Sequence, residues 1–409
     1  MSRPRGVAVT GIGLTTPAGV GTETGWRALC AGVSTATADP RLAGMPVTFS
    51  CRVPDGALEA AVGRRLGWRL DRFIQLALVT SREAVRDAGL DPAAWEGERV
   101  GVVIGVGSGS HDTCVETYTH LAQERYRAVS PTTIPRSSPN MAAGEVGIDL
   151  KAFGPNFCVS TACASGATAL GTAKALVESG VCDIVIAGGS ESAPSSPMAV
   201  AAFWRMGALS VRNDDPAAAS RPFDADRDGF VLGEGAGILV LERLEHARAR
   251  GARVHALLTG YGASADAHHP TMPHPDGEGA TRAASAALAD ACLTPRDIGH
   301  VNAHGTGTRL NDLTEARMLR RVFGTPPAVT ATKGALGHAI GGAGAIEAVC
   351  CVLAVRRQVI HPTVNLDRLD PEIDLDVVRG EPRPCRLEAA ASFSFGFGGQ
   401  NACLVFTRP

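Results

Sequence analysis

One arrangement occurs twice in this chain and limits what it can fold into. It is a short β-favouring run, then a glycine-rich turn carrying a reactive side chain, then a helix built from small residues. The first copy runs from Phe157 to Val159, through Cys163, into a small-residue segment over 164–176 closed by Gly180. The second runs from Val329 to Thr332, through Lys333 and His338, into an alanine-rich segment over 341–355. Two βα units of one layout, one in each half, predict an α/β chain with an internal duplication. A cysteine at a strand-to-helix turn sits at the positive end of the helix dipole, which favours thiolate over thiol. A buried structural cysteine on a tightly packed helix is the other reading of the same residues.

The rest of the chain repeats this rhythm. Residues 6–13 read as a buried strand ending in glycines, as do 99–107, 183–189 and 257–262. The segment 58–89 reads as one long helical region, basic at its start, and 108–141 as an insertion with helical pieces. A charged helix over 242–250, closed by Gly251, marks the most natural boundary, so halves 1–251 and 252–409 are expected. Residues 278–292 read as an amphipathic helix, and the last segment, 392–406, as a hairpin around a glycine-rich turn.

Composition excludes several classes. With 45% hydrophobic and 20% charged residues the 409-residue chain is globular. A net charge of -2 gives no global attraction to nucleic acid or membrane, so an acidic partner has to be met by a local basic patch. The 11 cysteines are scattered, with no CxxC pair and no secretory leader, so reduced thiols and a cytoplasmic location are expected. No His and Cys spacing matches a zinc pattern, and no apolar run approaches the ~20 residues of a membrane span.

Three segments far apart in sequence therefore place reactive side chains in glycine-rich turns at strand ends: Cys163, His304, and Lys333 with His338. A histidine in a turn is often only a surface or capping residue. Three such turns, each after a buried strand, point to one convergent site at strand C-termini. A buried Lys333 needs a counter-ion, and Glu347 stands across the turn from it.

The motifs TACASG around Cys163, NAHGTGT around His304, KGALGH over 333–338 and FGFGG over 395–399 resemble those of the β-ketoacyl-acyl-carrier-protein synthases, most closely the synthase II type. The resemblance runs from Val7 to Phe406 and includes SRPFDADRDGFVLGEGAG over 220–237. It implies a thiolase-like fold, two duplicated halves stacked as five α and β layers, usually dimeric. It also implies a role for each reactive residue. Cys163 would take the acyl chain, with the backbone N–H groups of Cys163 and Phe397 forming the oxyanion hole. His304 and His338 would donate hydrogen bonds to the malonyl thioester carbonyl, Lys333 with Glu347 would hold His338 in place, and Thr306 and Thr308 would bind the phosphopantetheine arm. Phe203 and Ser108 would lie along the acyl tunnel, with Phe397 gating it on a turn freed by glycines such as Gly398. Substrates would arrive on an acyl carrier protein docked at Arg64, Arg65, Arg69 and Arg127, residues whose plainer reading is a solvated basic face.

The same resemblance needs neither metal nor redox cofactor, since decarboxylation supplies the carbanion. A homodimer, or a heterodimer with a chain-length-factor-like subunit, is implied. The related possibilities are a non-catalytic partner subunit, against which the intact Cys163, His304 and His338 argue, and a thiolase-type acyltransferase using a second cysteine. Cys403 stands after the glycine turn, but its neighbours read as strand, so it is expected in the core. HGTGTRLND departs from the commoner HGTST form, and Ser108 and Met272 fall where other residues are usual. Fatty-acid elongation and a type II polyketide or polyene pathway both remain open, with a lean to the latter.

Overall fold

The computed structural model describes residues 6–409. The domain expectation that begins at residue 1 therefore has its first five residues outside the described ones. Runs of Val, Ile, Ala and Gly become strands buried along most of their length, and the half-buried Asn156–Val159 joins them at one edge. In the first half these are β1 (Val7–Thr16), β2 (Val100–Gly105), β3 (Asn156–Val159), β4 (Ile184–Glu191) and β5 (Gly235–Glu242). In the second half they are β6 (Ala256–Ala265), β7 (His300–Asn302), β8 (Ala328–Thr330), β9 (Ala389–Gly396) and β10 (Gln400–Thr407).

Hydrogen bonds connect all ten in the order β8-β7-β9-β10-β6-β1-β5-β4-β2-β3. Read from its outer edge inward, the first half runs third, second, fourth, fifth, first. The second half runs in the same order. In each, three outer strands are parallel and the last two pairings are antiparallel. The halves meet through β1 and β6, antiparallel with Val7 opposite Leu258. Equal strand order on both sides is the topological form of the repeat read from the sequence.

The helices complete the layers. Those needed here are α1 (Arg72–Asp87), α2 (Met141–Leu150), α3 (Ser165–Glu178), α4 (Pro197–Arg205), α5 (Glu278–Ala291), α6 (Arg309–Phe323), the single turn α7 (Lys333–Leu336) and α8 (Ile340–Arg357). α1 covers β1, β4 and β5 from outside, and α5 covers β6 and β10. Between the two sets of strands lie α3 and α8, each touching strands of both halves. The order is α, β, α, β, α, a thiolase-like fold. The small residues of α3 and α8 have a steric reason. A Cβ on Gly166 would stand 2.7 Å from the Ala345 backbone nitrogen, so only glycine admits this approach. α8 is buried from Ile340 through Val355, and its apolar character reflects the centre of the stack. Among the described residues no helix is long and apolar enough to cross a membrane.

The expected single helix over 58–89 is instead three pieces, Asp55–Val62, Arg64–Gly67 and α1. Gly63 breaks it with φ +84°, and Asp71 breaks it again by turning extended and accepting the Arg72 N–H at 2.7 Å. An N-cap aspartate competes with helix continuation in this way. The 108–141 insertion does contain helical pieces, over Asp112–Ala122 and Thr133–Ser137. Cys403 is buried within β10, as its strand-like neighbours implied.

Candidate active site

β3 ends at Val159, and the chain turns sharply before α3. Ala162 lies at φ +49°, a left-handed conformation uncommon for a residue with a side chain. Ser165 holds the turn: its hydroxyl accepts the Thr161 N–H at 2.9 Å and donates to the Ala162 carbonyl at 2.6 Å. Cys163 is thereby presented at the head of α3. The β9–β10 turn comes down on it so closely that a Cβ at Gly396 would stand 2.4 Å from the Thr161 carbonyl. From that turn the Phe397 N–H reaches the Cys163 sulfur. Burial pushes the Cys163 thiol up to about 12, although Lys333 and the Phe397 N–H both pull it down. Desolvation outweighs the nearby positive charge, so burial favours the thiol over the thiolate expected from the helix dipole.

His304 follows β7 directly. Its own N–H and that of Gly305 are both accepted by the buried Glu315 carboxylate on α6, at 2.7 and 2.8 Å. Asp312, one turn earlier on α6, accepts from Gly307 N–H at 3.2 Å and Phe223 N–H at 2.8 Å. Two carboxylates thus brace the HGTGT turn. The sequence reading missed Glu315 and noted Asp312 only within its motif. The available signal was their i, i+3 spacing on the helix that opens just after the turn.

Lys333, at the start of α7, is 2% exposed and ion-paired with Glu347 of α8, itself 1% exposed. Its Nζ also donates to the His304 carbonyl at 2.5 Å and lies 3.3 Å from His304 Nδ1. The expectation that Lys333 holds His338 is therefore corrected: it holds His304, because β7 and β8 run parallel side by side and deliver their C-terminal turns to each other. A lysine donating to Nδ1 leaves the proton on Nε2, so His304 offers a donor from that atom. His338 sits between α7 and α8, fixed by its N–H to Val231 O at 2.7 Å and by edge contact with Phe230, ring centroids 5.2 Å apart. The His304 and His338 rings stand 5.4 Å apart at 85°. Burial first, and the Lys333 charge second, hold both imidazoles well below their ordinary value, so both are neutral donors near pH 7.

These groups share one cavity of about 240 Å³, lined among others by Cys163, His304, His338, Phe203, Phe397, Thr306 and Thr308. Phe203 lies on α4 with its ring 5.4 Å from Phe230 and 6.3 Å from Phe397. The Thr306 and Thr308 hydroxyls are 2.9 Å apart. Met272 and Asp266 line the same space, and Asp266 accepts from Asn401 at 2.8 Å beside the glycine turn. Gly398 belongs to that turn without lining the cavity, its N–H bonded to Pro270 O at 2.7 Å. Ser108 is corrected: it is exposed and outside the lining, because its N–H and hydroxyl are captured by Glu191 at 3.0 and 3.1 Å. Arg64, Arg65, Arg69 and Arg127 are all exposed, none lines the cavity, and Arg69 pairs with Glu145 at 2.6 Å. Among the described residues no group of three or more His, Cys, Asp or Glu could hold a metal ion.

Residues 4–247 match the family model for the beta-ketoacyl synthase N-terminal domain, and 255–367 match that for the C-terminal domain. The chain belongs to the beta-ketoacyl synthase family. It is 43% identical over 407 residues to a 3-oxoacyl-[acyl-carrier-protein] synthase 2 of Synechocystis sp., covering 98% of each chain. It is 42% identical over 413 residues to the synthase 2 of Staphylococcus aureus, covering 100% of this chain and 99% of that one. Among solved structures, the ishigamide ketosynthase/chain length factor superposes with TM-score 0.92 at 36% identity, over 100% of both chains. A type II polyketide ketosynthase in complex with its acyl-carrier protein gives TM-score 0.91 at 31% identity, again over 100% of both.

Proposed function

We propose that this synthase catalyses decarboxylative condensation of an acyl chain on Cys163 with malonyl-acyl-carrier protein, releasing CO2 and a 3-oxoacyl-acyl-carrier protein. The observation that carries the reading is the shared cavity. One thiol and two neutral imidazoles meet there, with a buried lysine behind one of them.

In the first step the Cys163 sulfur attacks the thioester carbon, its proton passes to the departing phosphopantetheine thiol, and the acyl chain stays on sulfur. His338, whose Nδ1 has no hydrogen-bond partner, is the imidazole able to relay that proton. The N–H groups of Cys163 and Phe397 stabilise the oxyanion. In the second step His304 and His338 hydrogen-bond the malonyl thioester carbonyl. The C–C bond to the carboxylate breaks, CO2 leaves, and the electron pair passes into the enolate. That carbanion attacks the acyl-Cys163 carbonyl and the C–S bond breaks, returning the sulfur. Removing one such donor costs about 2.7–4 kcal/mol of barrier. Decarboxylation generates the carbanion, so the chemistry calls for no redox cofactor.

Residues 1–251 supply the nucleophile and 252–409 the histidines and lysine. Thr306 and Thr308 flank the pantetheine arm, and Phe203 lies along the acyl chain. Arg64, Arg65, Arg69 and Arg127 form the docking patch for an acidic carrier protein. The molecule works in the cytoplasm, as a homodimer or with a chain-length-factor-like partner, in fatty-acid or type II polyketide elongation. Relatives of both kinds support that pairing of pathways. Intact mass after incubation with an acyl-carrier protein thioester tests it. Wild type should gain one acyl group, lost in Cys163→Ala; an adduct at another cysteine refutes the assignment.

A further inference from the structure

Glu191, the last residue of β4, is completely buried yet plays no part in the chemistry above. Its carboxylate accepts the Gly107 N–H at 2.8 Å, the Ser108 N–H at 3.0 Å and the Ser108 hydroxyl at 3.1 Å. It also accepts the Gly341 N–H, in the first turn of α8. One side chain therefore ties the loop after β2 to the head of the central helix. The residue just before Gly341 is Ile340, whose side chain lines the cavity beside Cys163, Phe203 and Phe230. Ile340 lies at φ +40°, a genuine outlier for a β-branched residue and one that persists only when its surroundings enforce it. The enforcement is visible. A Cβ placed on Gly107 would lie 2.8 Å from Glu191 Oε2, 2.9 Å from Ile340 Cγ2 and 3.1 Å from the Gly341 nitrogen.

We propose that Glu191 is a positioning residue that sets the accepted acyl length, by locking the 107–108 loop onto α8 and so holding Ile340 as a wall of the acyl cavity. This rests on the reading of Cys163 as the acyl carrier. It returns a role in chain length to Ser108, exerted through Glu191 rather than by contact with the acyl chain. Freed of the carboxylate, Ile340 relaxes toward ordinary φ, its side chain leaves the wall, and a longer chain is admitted.

The test is the rate of Cys163 acylation, by intact mass, with a short and a long saturated acyl-carrier protein thioester. Glu191→Gln keeps the shape but sets an amide donor against backbone N–H groups, and Ile340→Gly removes both side chain and strain. Each should raise the long-to-short ratio on the order of tenfold, within the range for residues in contact, and Ser108→Ala should raise it less. The double variant Glu191→Gln/Ile340→Gly should match Ile340→Gly alone, because the carboxylate acts through that residue. An unmoved ratio in Glu191→Gln, or effects that multiply in the double variant, overturns the proposal. Should Glu191→Gln fail to fold by circular dichroism, Ser108→Ala decides: a raised ratio supports the clamp and an unmoved one overturns it. A wild type that takes no acyl group at Cys163 overturns the condensing reading itself, a result distinct from an acylated enzyme whose ratio does not move.

Discussion

Replacing Lys333 by Met separates what the buried ion pair does for stability from what it does for chemistry. Glu347 would keep its place in α8 but lose its counter-ion, with its second carboxylate oxygen already lacking any partner. Burial has raised this carboxyl from 4.5 to about 7 even with Lys333 beside it, so without the lysine it moves higher still. Above pH 7 wild type loses this proton while the folded variant keeps it, and keeping it costs about 1.36 kcal/mol for each further pH unit. Because the folded value is raised above the unfolded one, the unfolded chain sheds this proton first as pH rises. The penalty relative to wild type therefore opens as pH rises through about 7 and grows by about 1.4 kcal/mol per unit, toward the ~3–5 kcal/mol expected when one partner of a buried pair is removed. Urea unfolding of wild type and Lys333→Met at fixed protein concentration across this range should show that slope. Lys333→Met/Glu347→Leu should recover most of the loss, since replacing a whole buried pair by apolar groups is near neutral. Neither variant should release CO2 from malonyl-acyl-carrier protein at the wild-type rate, because His304 has lost the donor that fixes its ring. A pH-independent penalty, or a double variant with wild-type decarboxylation, refutes the reasoning.

Glu315→Gln should slow decarboxylation more than acylation. It sets an amide donor against the His304 or Gly305 N–H, and a charge-assisted bond is worth about 1.5–3 kcal/mol; CO2 release measured beside the Cys163 adduct checks the split. His300, buried on β7 with its Nε2 3.0 Å from Thr330 Oγ1, is pushed down to about 3 from 6.5 by burial and by His361. The unfolded chain thus binds more protons between those values, so this contribution is fully present above about pH 6.5 and lost as pH falls. The wild-type minus His300→Gln difference in unfolding free energy should decline on acidification, by up to about 1.4 kcal/mol per pH unit; a flat difference contradicts it. Reversing charge at Arg65 and Arg69 should raise KM for the carrier protein and flatten its salt dependence. An unchanged KM at low salt would leave these residues a solvated face.

The sequence by itself determined the local grammar. Cys163, His304 and Lys333 each come just after a β-favouring run, with glycines following in or near the turn, and His338 closes the same turn as Lys333; such turns form from their own residues. So do the β9–β10 hairpin around FGFGG and the small-residue helices α3 and α8. The pairing of Lys333 with Glu347 was legible too, since both lie in one turn-and-helix unit. Only the tertiary structure decided the rest. Lys333 serves His304 rather than His338 because two parallel strands from different segments end side by side. Burial beneath Phe230, Ile340 and the β9–β10 turn raises the Cys163 thiol, a cost that no local helix dipole reveals. Ser108 left the cavity for Glu191, and Glu315 took up the His304 turn, through hydrogen bonds set by packing. Turn chemistry is a short-range property and can be read along the chain. Burial, charge balance and the partner of each polar atom depend on segments brought together from far apart, and they exist only once the two halves have closed on the central helices.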